Sequence, residues 1–114
     1  MGTVARIPGL SVTLDGQPYV IPPLSLGALE QLRPRLLAFD EKMDDPEQIS
    51  TVIDTLHAAL RRNYPELTRE RVADMVDLAN FGEAMRAAMN VSGLAKGAAA
   101  SPGAPPGEAI PSAA

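Results

Sequence analysis

Residues 45–65 read DPEQISTVIDTLHAALRRNYP, and the reading of this stretch decides how the rest of the chain is organised. Asp45 suits an N-cap, and Pro46 suits the first helical turn, where a missing N–H costs nothing. Gln48 completes a capping-box-like pair with Asp45. Ile49, Val52, Ile53, Leu56 and Leu60 then recur at i, i+3, i+4, i+7 and i+11, the stripe of an amphipathic helix. Arg61 and Arg62 put positive charge at the negative end of the helix dipole, and Pro65 stops the helix.

Toward the N-terminus, Leu10, Val12 and Leu14 alternate with Ser11 and Thr13, the period of a half-buried strand. Asp15-Gly16 is a tight-turn dipeptide, because both residues tolerate positive φ. Tyr19-Val20-Ile21 returns as a short edge strand, since Pro18 has no N–H to donate, and Pro22-Pro23 ends it. A first helix begins at Ser25, with Leu24 and Leu29 as a hydrophobic staple and Leu29, Leu32, Leu36 and Phe39 on one stripe. Pro34 inside that stripe predicts a kink or two abutting helices.

Toward the C-terminus, Thr68 caps a short helix with Leu67 and Val72 as its staple and Val72, Met75 and Val76 as its apolar face. Asn80 starts another, with Glu83 as its reciprocal cap and Phe81, Met85, Ala88 and Met89 along one side; Gly93 lies just past its end. Residues 94–114 are almost wholly Ala, Pro, Gly and Ser, too poor in apolar surface to offset the entropy of ordering. The expected fold is α+β and mostly α. It consists of a flexible segment 1–9, one domain over 10–93 made of an N-terminal β-hairpin and a bundle of three to four helices, and a disordered tail 94–114.

Composition narrows the function. The chain has 114 residues, with 10 Lys and Arg against 14 Asp and Glu, a net charge of -4. A phosphate-binding basic field is absent, which argues against nucleic acid as partner. Without cysteine there is no disulfide, thiol nucleophile or thiolate metal site. No signal-peptide run, membrane span or myristoylation pattern is present, the last because Arg6 stands where Ser or Thr is needed.

His57 is the single histidine, beside Ile53 and Leu60 with Asp54 three residues away. A general base needs a nucleophile or an orienting carboxylate, and a histidine beside an apolar stripe serves structure more often. Asp40, Glu41, Asp44, Asp45 and Glu47 lack the calcium-loop spacing and read as a solvated helix connection. The expectation is a protein that is not an enzyme and has no cofactor, metal or catalytic residue. Two clusters are candidate partner surfaces. Arg61, Arg62, Arg69 and Arg71 flank the turn at residues 63–68 and suit an acidic segment. Met75, Phe81, Met85 and Met89 could form an adaptable groove for a partner helix, because methionine repacks readily.

Three segments taken in order resemble the tail assembly chaperones of long-tailed bacteriophages. They are VTLDGQPYVIPPLSL at 12–26 read through to Leu32, ALRRNYPELT at 59–68, and residues 72–93 with DLAN at 77–80. The ordered combination carries the likeness; a turn dipeptide or a capped helix alone would not. The resemblance implies a non-catalytic chaperone, acting in the bacterial cytoplasm, that coats the tape-measure protein and keeps it soluble. It would help recruit tail-tube subunits and be absent from the mature virion. In that family a ribosomal frameshift often appends a second domain. Ala95-Lys96-Gly97 could carry one, if their codons allow both tRNAs to re-pair one base upstream. The rival classes are a structural head–tail connector or tail-completion protein, and a small enzyme or regulator using His57 and the acidic loop.

Overall fold

The computed structural model describes residues 7–94. The proposed slippage codons, the tail beyond Leu94 and residues 1–6 lie outside the described residues. The described chain is α+β and mostly helical. Strands β1 (Leu10–Leu14) and β2 (Gln17–Ile21) precede helices α1 (Leu26–Leu37), α2 (Pro46–Leu60), α3 (Arg69–Met75) and α4 (Phe81–Val91).

The hairpin closes through Asp15 and Gly16, whose φ values of 52° and 76° are both left-handed. Two such residues make the turn whose twist matches the strands it joins. Leu14 opposite Gln17 and Val12 opposite Tyr19 set the register. Thr13 faces Pro18, and ladder hydrogen bonds alternate from one pair to the next. The position at which Pro18 lacks a donor therefore points away from β1. This is why β2 starts at Gln17, two residues earlier than the proline suggested.

Helix α2 packs against α1, α3, α4 and β2, and α4 packs against both strands. Val12, Leu14 and Ile21 from the hairpin meet Leu56, Ala59 and Leu60 of α2, Val72 and Met75 of α3, and Ala84, Met85 and Ala88 of α4 in one buried cluster. The small alanines on α4 allow its backbone to lie close to its neighbours. Ile49, by contrast, is 40 % exposed and Ile53 is half-buried, so the α2 stripe is fully buried only at Val52, Leu56 and Leu60.

Ser25, Asp45 and Thr68 each cap their helix by accepting a backbone N–H, from Ala28, Glu47 and Arg71 respectively. Two reciprocal caps are replaced. Gln48 does not return to Asp45; its Oε1 accepts from Asp40 N–H and its Nε2 donates to the Ala38 carbonyl. At α4 the capping carboxylate is Asp77, which accepts from Ala79 and Asn80 N–H. Asn80 Nδ2 reaches back to the Met75 carbonyl. It thereby joins the end of α3 to the start of α4, a task that Glu83, exposed to solvent, does not share.

Pro34 is accommodated within one uninterrupted helix. Its ring lies on the exposed face, where the carbonyl of the equally exposed Glu30, deprived of its helical partner, is open to water. Past the end of α4, Gly93 takes φ 76°, with Gly93 N–H bonded to Asn90 and Leu94 N–H to Met89. This paired arrangement satisfies the last carbonyls and is why glycine stands there.

The hairpin is fixed to the helices by polar contacts over long sequence distances. Asn63, 7 % exposed, accepts Ile7 N–H at 2.7 Å and donates to the Ile7 carbonyl at 2.9 Å and more weakly to Val20 at 3.4 Å. Tyr64 accepts Val20 N–H through its hydroxyl, and its ring stands edge-on to Tyr19. Together the two residues cover the outer edge of β2, which would otherwise invite pairing with another chain. Gly9 passes so close to Ile21 that a β-carbon would lie 1.9 Å from the Ile21 carbonyl oxygen. Leu24 N–H donates to Ser92 Oγ, clasping the start of α1 to the end of α4.

Candidate partner surfaces

The structure separates the four arginines. Arg69 Nε bonds Asp54 at 2.6 Å, and Arg35 from α1 bonds the other oxygen of Asp54 at 2.9 Å. Arg71 reaches Asp15 in the hairpin turn at 3.5 Å. Arg62 donates to the Pro23 carbonyl at 2.7 Å. Of the four, Arg61 and Arg62 line the groove of about 810 Å³ between α1 and α2, a groove that also holds Arg35, Glu30 and Asp54. Arg69 and Arg71 do not face it. The cluster is thus largely a set of struts, Arg69 tying α3 to α2, Arg71 tying α3 to the hairpin turn and Arg62 tying the end of α2 to Pro23, with Arg61 left exposed.

Burial alone would raise the pKa of Asp54, but hydrogen bonds and charge attraction from Arg69 and Arg35 outweigh it and hold the carboxyl below its ordinary range. A carboxylate depressed in this way stabilises the fold above the pKa it has when unfolded. The contribution is lost as pH falls through the folded value. Asp54→Asn should therefore lower the urea midpoint at neutral pH and lose that disadvantage progressively as the solution is acidified. A gap between the two proteins that does not change from pH 7 to pH 3 would remove Asp54 from the acid response.

His57 donates from Nε2 to the Leu67 carbonyl at 3.1 Å. It braces the α2–α3 turn, while Asp54, already engaged by two arginines, does not orient it. Among the described residues no three His, Asp or Glu side chains converge to hold a metal ion, the acidic loop included. Among the same residues no helix is long and apolar enough to cross a membrane.

The methionine cluster divides differently. Met75 is 1 % exposed and belongs to the core, leaving it nothing to present to a partner. Met85 is 4 % exposed and lies under a groove of about 420 Å³ between the end of α1 and α4. Leu36, Phe39, Phe81, Met89 and Leu94 complete its apolar lining. Phe81 also lines a second apolar hollow of about 190 Å³, with Met43, Ile49, Ile53, Val76 and Leu78. Phe81 lines both hollows, and the pair, drawn from α1, α2, α3 and α4, is termed the furrow. Leu78 at 76 % and Leu94 at 40 % exposure extend its apolar character toward solvent.

The wall of the furrow at Phe39 is held from behind. Gln48, 8 % exposed, grips Ala38 and Asp40 on either side of Phe39. Asp40 Oδ1 accepts Lys42 N–H, and between them Glu41 takes φ 67°, a conformation a non-glycine residue adopts at a cost. Phe81 and Met89 are candidates for a partner surface from the sequence. Leu36 and Phe39 are not, because an apolar residue on a helical stripe reads as core, and Met43, Leu78 and Leu94 fall outside the helical stripes. The one available signal was an excess, since Phe39, Leu78 and Leu94 follow or precede helices rather than lie within them. No protein family, curated protein or solved structure matches this chain.

Proposed function

We propose that this protein is a non-catalytic chaperone that binds amphipathic helical segments, and specifically a tail assembly chaperone acting on a phage tape-measure protein in the bacterial cytoplasm. The observation that carries this reading is the furrow centred on Phe81. Its two hollows are largely apolar, open to solvent and flanked by helices, and Val52 and Met85 of the buried core are among their lining. An amphipathic helix places anchors at i, i+3 or i+4 and i+7 into such a furrow. A long helical chain with unpaired apolar stripes aggregates unless those stripes are covered. The ordered resemblance of residues 12–32, 59–68 and 72–93 to tail assembly chaperones supplies the tape measure as the partner, and tail-tube subunits as a second one.

Co-expression tests the proposal. The tape-measure polypeptide encoded beside this chain should be insoluble alone, soluble when the two are made together, and recovered bound to this protein. Mass spectrometry of purified virions should then find the tape measure without this chain. A tape measure equally soluble in its absence would overturn the reading. Stoichiometric presence in virions would favour a head–tail connector or tail-completion protein instead.

A further inference from the structure

The furrow has a charged border as well as an apolar floor. Glu41 lines its α1–α4 half and Asp77 lines its α3–α4 half. The loop that supplies Glu41 also carries Asp40, Asp44 and Asp45 against the single Lys42. Among the lining residues Arg86 is the cation, and it lies beside Gly82, where a β-carbon would come within 3.4 Å of its guanidinium. The other arginines of the helical region, Arg33, Arg35, Arg61, Arg62, Arg69 and Arg71, do not line the furrow, and three of them already hold carboxylates.

Glu41 is not placed there casually. The Gln48 clamp and the Asp40 turn hold its backbone left-handed, so the same hydrogen bonds that seat Phe39 in the wall also set Glu41 at the mouth. Asp77 spends only Oδ1 on the start of α4. Each half of the furrow thus carries one exposed carboxylate beside its apolar lining, and the α1–α4 half carries Arg86 as well.

We infer that the furrow selects a helix whose apolar stripe is bordered by lysine or arginine, with Glu41 and Asp77 as the residues that discriminate against acidic borders. This rests on the furrow being the partner site. Apolar contact supplies the affinity, whereas charges at the border set which helix is accepted and how fast it arrives. Because both carboxylates are exposed, the preference should be strong in dilute salt and weak once the Debye length has shrunk to a few ångströms.

Two fluorescent amphipathic peptides with the same leucine stripe, one with lysine borders and one with glutamate borders, provide the test against the full chain. At low ionic strength the lysine peptide should bind about tenfold more tightly, with the difference fading toward molar salt. Glu41→Lys, at an exposed position, should reduce or reverse the preference, and Glu41→Gln should reduce it without altering the melting temperature. Leu94→Asp should weaken both peptides together. Equal affinities for the two peptides, or a preference untouched by Glu41→Lys, would overturn the charge selection while leaving the furrow as the binding site. Failure of both peptides to bind would remove the furrow reading along with it.

Discussion

Leu56→Ala is expected to destabilise the fold by about 2–5 kcal/mol, through lost transfer energy and the cavity left behind. Leu56 is completely buried in the middle of α2, the helix that touches every other helix and β2, so no single neighbour can move in to fill the space. In a domain of this size each kcal/mol moves the melting temperature by about 4–8 °C, so the midpoint should drop by at least about 8 °C. Total stability for such domains is about 5–15 kcal/mol, and a low starting value would leave much of the variant unfolded at 37 °C. A melting temperature within a degree or two of the parent would show that the α2 stripe is not the centre of the core.

Asn63→Ala should have the next largest effect. The side chain serves three backbone groups, at Ile7 and Val20, and sits almost out of reach of water. Its removal leaves buried donors and acceptors without partners, at about 1–3 kcal/mol. It also uncovers part of the outer edge of β2. Amide exchange separates this from a general loosening: Ile7 N–H should exchange far faster in the variant, while core amides of α2 change only with global stability. Unchanged protection at Ile7 would mean that Gly9 and its close approach to Ile21 hold the segment without help.

The helices and the hairpin were legible because their signals are local. Ser25, Asp45 and Thr68 announce helix starts by bonding to backbone two or three residues on, and Asp15-Gly16 makes its own turn. What escaped the reading depends on partners distant along the chain. Gln48 satisfies the adjacent α1 terminus instead of its own helix, and Asn63 bonds a residue 56 positions away. Arg69 and Arg71 looked like a free basic patch because Asp54 and Asp15 are 15 and 56 residues removed. The candidate groove was half legible. Helical spacing puts Phe81, Met85 and Met89 on one side of α4, yet it does not say which member forms the floor and which the wall. Burial of α4 against the hairpin and α2 decides that.

The bond between Leu24 N–H and Ser92 Oγ has a consequence for the order in which the protein can be made. Synthesis runs from the N-terminus, so the hairpin emerges from the ribosome long before α4 does. Until then Val12, Leu14 and Ile21 lack the alanine face that covers them, and a two-stranded hairpin alone is marginal in water. The nascent chain is therefore expected to stay protease-sensitive until Ser92 clears the tunnel, and then to become resistant in one step. Folding thus waits for α4, the described element farthest along the chain from the hairpin it covers.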